Sequence, residues 1–216
     1  MKEEIINGIR YRLNGGTLTA EVIKKNEGCE GEIIIPKTVV FNELTYRVTS
    51  IGEEAFMDCD GLTSIVIPEG VKSIGANAFM NTSLASVVIP DSVTRIGERA
   101  FEDCCDLASV VIPDSVQSIG KYAFHRCTSL KAISIPNSVM IVEEGAFFRC
   151  KSLKIIAIPS NAIIVERGAF LDCDSLWAIR YGGTVEQCKR RYRYWDDYSF
   201  HNKTVHCIDD DVTIRW

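Results

Sequence analysis

The side chains with the most chemistry to offer are nine cysteines, at 29, 59, 104, 105, 127, 150, 173, 188 and 207, and the histidines at 125, 201 and 206. An odd number of cysteines cannot all pair within one chain. Cys104, Cys127, Cys150 and Cys173 stand 23 residues apart, which is a structural period and not a CxxC metal or redox spacing. Equivalent positions in stacked units lie about 5 Å apart along a line, whereas zinc needs four ligands converging on one point. Free buried thiols are the expected state of this column, and a pairing of Cys188 with Cys207 near the C-terminus stays open. His125 with Cys127, and His206 with Cys207, are the only nucleophile-and-base pairs close in sequence, and neither has a third group to orient the base. No Gly-rich phosphate loop, HExxH or GxSxG motif is present. The expectation is a protein with no catalytic residue, no cofactor and no metal.

Two charged stretches remain. Lys189-Arg190-Arg191-Tyr192-Arg193-Tyr194-Trp195 mixes cations with aromatic rings, as surfaces for single-stranded nucleic acid do. The competing reading is a cap helix whose rings cover the core while the cations stay wet. Asp209 to Asp211 is too compact for a calcium loop and reads as a turn. A net charge of −5 argues against a dominant attraction to nucleic acid or an anionic membrane. No run of about 18 apolar residues exists to span a bilayer. The start, MKEEIINGIRYRL, lacks the apolar stretch and cleavage site of a secretory signal, which leaves a protein kept in the cytoplasm or a mature surface or secreted chain whose signal was removed.

What positions these residues is a repeat. The prolines at 36, 68, 90, 113, 136 and 159 are separated by 32, 22, 23, 23 and 23 residues, with an insertion near 40–50 accounting for the first step. On this frame Leu62, Leu84, Leu107, Leu130, Leu153 and Leu176 form one column, and Phe56, Phe79, Phe101, Phe124, Phe147 and Phe170 another. A period of 23 is a solenoid period, in which no coil can bury its apolar face alone. LxxIxI suits a short strand ended by Pro, and VxxIG an extended piece turning back across the solenoid. Gly75, Gly97 and Gly120 are read there as supplying a backbone conformation closed to branched residues. AFxxC is compatible with one tight helical turn that drives Phe inward. Where Glu143 and Glu166 replace the Gly, and Gly145 and Gly168 stand two residues later, the turn is expected to be reshaped.

The flanks read as caps. Residues 5–23 suggest one hairpin turning at Asn14-Gly15-Gly16, within an N-terminal β-hairpin cap over 1–30. The insertion suggests a second hairpin around Asn42-Glu43. The solenoid proper would span 31–182 in about six coils. A C-terminal cap over 183–216 would hold a short helix, opened by Thr184 and Gln187 as a capping box, and two strands, 205–208 and 212–216.

The phrase LxxIxIPxxVxxIGxxAFxxC resembles the BspA-type leucine-rich repeat, described also from treponemal proteins, over roughly residues 31–182. GIRYRL and YRVTSIGEEAF resemble that family's N-terminal portion; YGGTVEQC and TVHCIDDD resemble its closing unit, with Cys188 where Trp is more usual and Asp210 where Gly is. The resemblance implies a leucine-rich-repeat solenoid: a right-handed superhelix, mainly β with short helical turns, its parallel strands stacked about one per 23 residues and capped at both ends. It also implies no intrinsic catalysis, and bacterial surface display with binding to host or microbial proteins.

The remaining candidate surface is the outward side of the strands: Ser64 and Val66, Ser86 and Val88, Ser109 and Val111, Ala132 and Ser134, Ile155 and Ala157, Ala178 and Arg180. This uncharged stripe, with Trp177 and Arg180 as anchors, could accept a protein or peptide partner, although β-propensity alone would produce a similar face. The function expected is a monomeric, non-enzymatic interaction or adhesion module that does not insert into a membrane, with nucleic-acid binding through 189–195 as the alternative.

Overall fold

The structure, a computed structural model, describes residues 1–24, 29–161, 164–191, 200 and 204–213. Strands β1 (Lys2–Ile6), β2 (Ile9–Asn14) and β3 (Thr19–Val22) make an antiparallel meander where one hairpin was expected. The extra turn is Asn7-Gly8, whose residues take φ of 51° and 77° and so join Ile6 to Ile9 in two residues. In the second turn the left-handed residue is Leu18, with φ 51°, and Asn14 Oδ1 accepts from the backbone N–H of Gly16 at 3.0 Å. β4 (Glu30–Ile34) opens the first coil, and β5 (Thr38–Phe41) with β6 (Leu44–Ile51) is the inserted hairpin. Asn42 and Glu43 both adopt positive φ, 47° and 65°, so a glutamate is held in a position that Gly fills more easily.

Long and short strands then alternate: β7 (Gly61–Val66), β8 (Ser73–Ile74), β9 (Ser86–Val88), β10 (Arg95–Ile96), β11 (Ser109–Val111), β12 (Ser118–Ile119), β13 (Ala132–Ser134), β14 (Ile141–Val142), β15 (Ile155–Ile158), β16 (Ile164–Val165) and β17 (Ala178–Tyr181). The short strands carry the continuous ladder. They stack in parallel from β6 through β8, β10, β12 and β14 to β16, and β3 joins β6 so that the N-terminal meander extends the same sheet. The long strands fall into three ladders, β4–β7, β9–β11 and β13–β15–β17. Helix α1 (Val185–Arg191) follows, then β18 (Thr204–His206) and β19 (Asp211–Thr213), an antiparallel pair that continues the last ladder through β17. Gln187 N–H donates to Thr184 Oγ1 at 3.2 Å and Thr184 N–H to Gln187 Oε1 at 2.9 Å, the reciprocal capping box.

Between the two strand faces the columns become a core. Phe56, Phe79, Phe101, Phe124, Phe147 and Phe170 are buried, with successive rings 5.1 to 5.4 Å apart and nearly parallel. The first five are each fixed by a backbone bond to the next coil, among them Phe79 N–H to Ala100 O, Phe101 to Ala123 and Phe124 to Ala146, all at 2.8 Å.

The AFxxC segment is not a helical turn. Ala100 N–H bonds Gly97 O, Glu102 N–H bonds Arg99 O and Cys104 N–H bonds Phe101 O, a run of tight turns interrupted by Arg99 and Asp103 at φ 53° and 57°. Left-handed residues four apart cannot belong to a right-handed helix.

The glycines at 75, 97 and 120 also do something other than expected. None has positive φ; a Cβ on each would sit 2.6 Å from the backbone of the coil before, so Gly is there for close approach. The left-handed position is two residues on, held by Glu54, Asn77, Arg99, Tyr122, Gly145 and, at φ 67°, Gly168. That column continues past Glu143, so the turn is kept and not reshaped. What changes is the ladder: β12 pairs β14 only at Ile119↔Val142, where neighbouring rungs pair two residues. Gly145 has a second reason to be glycine, since its Cβ would lie 2.2 Å from Tyr122 Cε1.

Candidate binding face

The outward side of the long strands sorts into two columns. In the first, Ile34 is in register with Val66, Val88 with Val111, Ser134 with Ala157, Ala157 with Arg180 and Arg180 with His206. Its N-terminal half is apolar and wet: Ile34 is 63% exposed, Val66 45%, Val88 75% and Val111 70%. The second column runs through Ser64, Ser86, Ser109, Ala132 and Ile155. Ser86, Ser109 and Ser134 are exposed, whereas Ser64, Ile155 and Ala157 are half-buried. Ala178, expected outward, is buried at 2% exposure, just before the residues through which β17 pairs with β18. Trp177 beside it is 63% exposed, and Arg180 is exposed. Ser134, Ala157 and Arg180, with Asn137, Ser160 and Tyr181, line a shallow groove of about 380 Å³ where the strands bend at proline. Ile34 escaped the sequence reading, though its frame was visible: Ile33-Ile34-Ile35-Pro36 repeats Ile65-Val66-Ile67-Pro68, which puts Ile34 in Val66's column.

The thiol column is a hydrogen-bond ladder. Cys104 Sγ donates to Phe79 O at 3.1 Å, Cys127 to Phe101 O, Cys150 to Phe124 O and Cys173 to Phe147 O, each reaching back one coil to a carbonyl at the bend. Thr82 does the same for Phe79 O from within its own coil. Burial pushes the Cys104 thiol to about 12, and those of Cys127 and Cys150 well up, so these groups keep their protons. Cys29 and Cys59 form a disulfide between the start of the first coil and the first rung of the column. Cys188 and Cys207 are both free.

His125 belongs to a column the sequence reading passed over, in which Met57, Met80, Glu102, His125, Phe148 and Leu171 share one position in successive coils. Its Nδ1 is 2.8 Å from Glu102 Oε1, and its ring stacks on Phe148 at 5.0 Å. Glu102 is 7% exposed, with Arg99 Nε 3.5 Å from its other oxygen. Among the described residues, no three His, Cys, Asp or Glu side chains are grouped to hold a metal ion. Of the cation-and-aromatic stretch, Lys189 and Arg190 lie in α1, with Arg190 paired to Glu186 at 3.1 Å, and Tyr192 to Trp195 lie outside the described residues.

A family model described as the BspA type leucine rich repeat region matches six copies over residues 49–177. The chain belongs to the BspA-type leucine-rich repeat family. It is a BspA-type solenoid of about six turns with little helix, in a family of non-enzymatic repeat scaffolds used for protein interaction and adhesion. Its fold is similar to that of a T. pallidum leucine-rich repeat protein, 26% identical over 83% of this chain and 71% of that one, with a TM-score of 0.54. Similarity extends to a leucine-rich repeat protein of Bacteroides ovatus (21% identity, 95% and 76% of the chains, TM-score 0.39) and to the pneumococcal vaccine antigen PcpA (13%, 85% and 82%, TM-score 0.44). No curated protein sequence matches the chain. Among the described residues no helix is long and apolar enough to cross a membrane.

Proposed function

We propose that this BspA-type solenoid binds a protein or peptide partner on the outward face of its long strands, by burying the exposed aliphatic column Ile34, Val66, Val88 and Val111 against a complementary apolar surface. The observation that carries the reading is the exposure of those four branched side chains in one line, while their strand neighbours Ile65, Val87 and Val110 are buried. A contiguous wet aliphatic stripe is costly to leave open and gains free energy when covered, at roughly 25 cal/mol per Å² removed from water. The sheet is rigid before binding, so little ordering entropy is lost on association. Ser86, Ser109 and Ser134 supply hydroxyls beside the stripe, and Trp177 and Arg180 stand at its far end as an aromatic and a cationic anchor. The partner is a protein surface and not a nucleic acid, since the stripe carries no cation before Arg180.

The test is binding of a partner captured from surface extracts, measured on the wild-type chain and on Val88→Arg/Val111→Arg. Two cations placed on this exposed face should lower affinity at least tenfold while the circular-dichroism melting curve is unchanged. Equal affinity for both chains would place the contact elsewhere, and affinity falling steeply with salt would favour the basic segment at 189–195.

A further inference from the structure

The geometry points to Cys188 and Cys207 as a disulfide-forming pair that ties α1 to the end of β18 within the C-terminal cap. Three observations place the two sulfurs together. Ile208 N–H donates to Gly183 O at 3.0 Å, and Val185 N–H donates to Asp209 Oδ1 at 2.8 Å, so the first turn of α1 is pinned to the residues just after Cys207. Cys188 sits one turn further along the same helix, its N–H bonded to Thr184 O at 2.8 Å. The two thiols are near enough to act on each other's protons, Cys207 raising that of Cys188 and Cys188 lowering that of Cys207.

No other free cysteines are arranged in this way. The four of the column are each turned onto a carbonyl of the preceding coil and are buried from any oxidant, and Cys105, though exposed, bonds Arg126 O at 3.7 Å. The disulfide already present between Cys29 and Cys59 ties residues 30 positions apart at the other end of the stack. Repeat arrays open from their ends, because a terminal coil has a neighbour on one side only, so the two ends are where a covalent tie does most.

The oxidant is a small-molecule disulfide, R–S–S–R. Cys207 is the half-exposed partner and Cys188 the buried one, so Cys207 is the attacking sulfur. Its thiolate displaces one RS⁻, which takes a proton from solvent as the protein–S–S–R bond forms. Cys188 then loses its proton and attacks Cys207 Sγ, forming the protein disulfide and expelling the second RS⁻. Two electrons pass from the thiol pair to R–S–S–R, giving two RSH. Burial pushes the Cys188 thiol to about 12, and burial with Asp209, Asp210 and Asp211 nearby raises that of Cys207, so the reaction is slow at neutral pH and accelerates as pH rises.

The experiment is incubation of the folded chain with oxidised glutathione at alkaline pH, followed by unfolding, alkylation and non-reducing peptide mapping. The expected product is an intramolecular 188–207 crosslink, about 2 Da lighter than the starting chain, with alkylation falling by two from the seven free thiols. Cys207→Ser should abolish it and Cys105→Ser should leave it intact. Amide exchange in α1 should slow on oxidation. A stable glutathione adduct on Cys207 with Cys188 still alkylatable, a covalent dimer, or no change at either thiol would each overturn the inference.

Discussion

The Phe200 ring lies 5.5 Å beyond that of Phe170, tilted by 35°, and with 0% exposure it closes the aromatic column that Phe56 begins at the other end of the solenoid. The cap therefore does not simply sit on the last coil. It contributes one more rung of the same kind, and the tilt marks where the 23-residue geometry stops.

Phe124→Ala should lose about 3–5 kcal/mol in urea unfolding, since the cavity is lined by rings held in place from both sides. Phe200→Ala should cost less and act locally, speeding amide exchange in β17 and β18 while β7 to β11 stay protected. Uniform loosening along the chain would contradict the closing role given to Phe200.

Gly97→Ala puts a Cβ 2.6 Å from Gly75 C and 2.7 Å from Ala76 N, backbone atoms that cannot yield without parting the coils. A loss of about 1–3 kcal/mol is expected, as for other overpacked sites. Gly182→Ala, whose nearest contact would be Ser160 N at 3.3 Å, should cost much less. Similar losses at both positions would show that close approach is not what the column requires.

Glu143 occupies the close-approach position without being glycine, and burial, then repulsion from Glu166, raises its carboxyl above the ordinary value of 4.5. An acid raised on folding binds its proton more tightly in the folded state, so its ionisation opposes folding above the raised value. As pH falls toward 4.5 that penalty fades, and below it none remains. Glu143→Gln should thus be more stable than wild type at pH 7, with the gain disappearing by about pH 4. Urea midpoints of the two chains across this range measure it; a difference that does not depend on pH would count against the cause given.

His125→Ala leaves the Glu102 carboxylate buried beside Arg99 without its imidazole, and should cost about 1–3 kcal/mol. Glu102→Met/His125→Met should recover most of that loss, because Met80 already fills this column one coil earlier and an apolar pair replaces a buried polar one at little cost. A double-mutant cycle gives the coupling, and strict additivity of the single changes would mean the 2.8 Å contact is energetically idle.

What the sequence determined is the set of columns that pack the core. A residue in a solenoid packs on its equivalents one period away, so Leu, Ile, Ala, Phe and Cys columns are written at a step of 23, and burial, strand faces and the thiol ladder follow from the step alone. The hairpin at Asn42-Glu43 and the Thr184–Gln187 box were legible too, because each is decided within four residues. Tertiary structure decided what has no period. Cys29 meets Cys59, and Phe200 meets Phe170, across different elements of the chain. Glu102, His125 and Phe148 share a column, yet differ in type, so no pattern announces their contact. The glycines show the same limit most clearly: their recurrence is visible, but whether Gly97 is needed for its φ or for the space above Gly75 depends on how near the next backbone passes, and only the stacked coils set that distance.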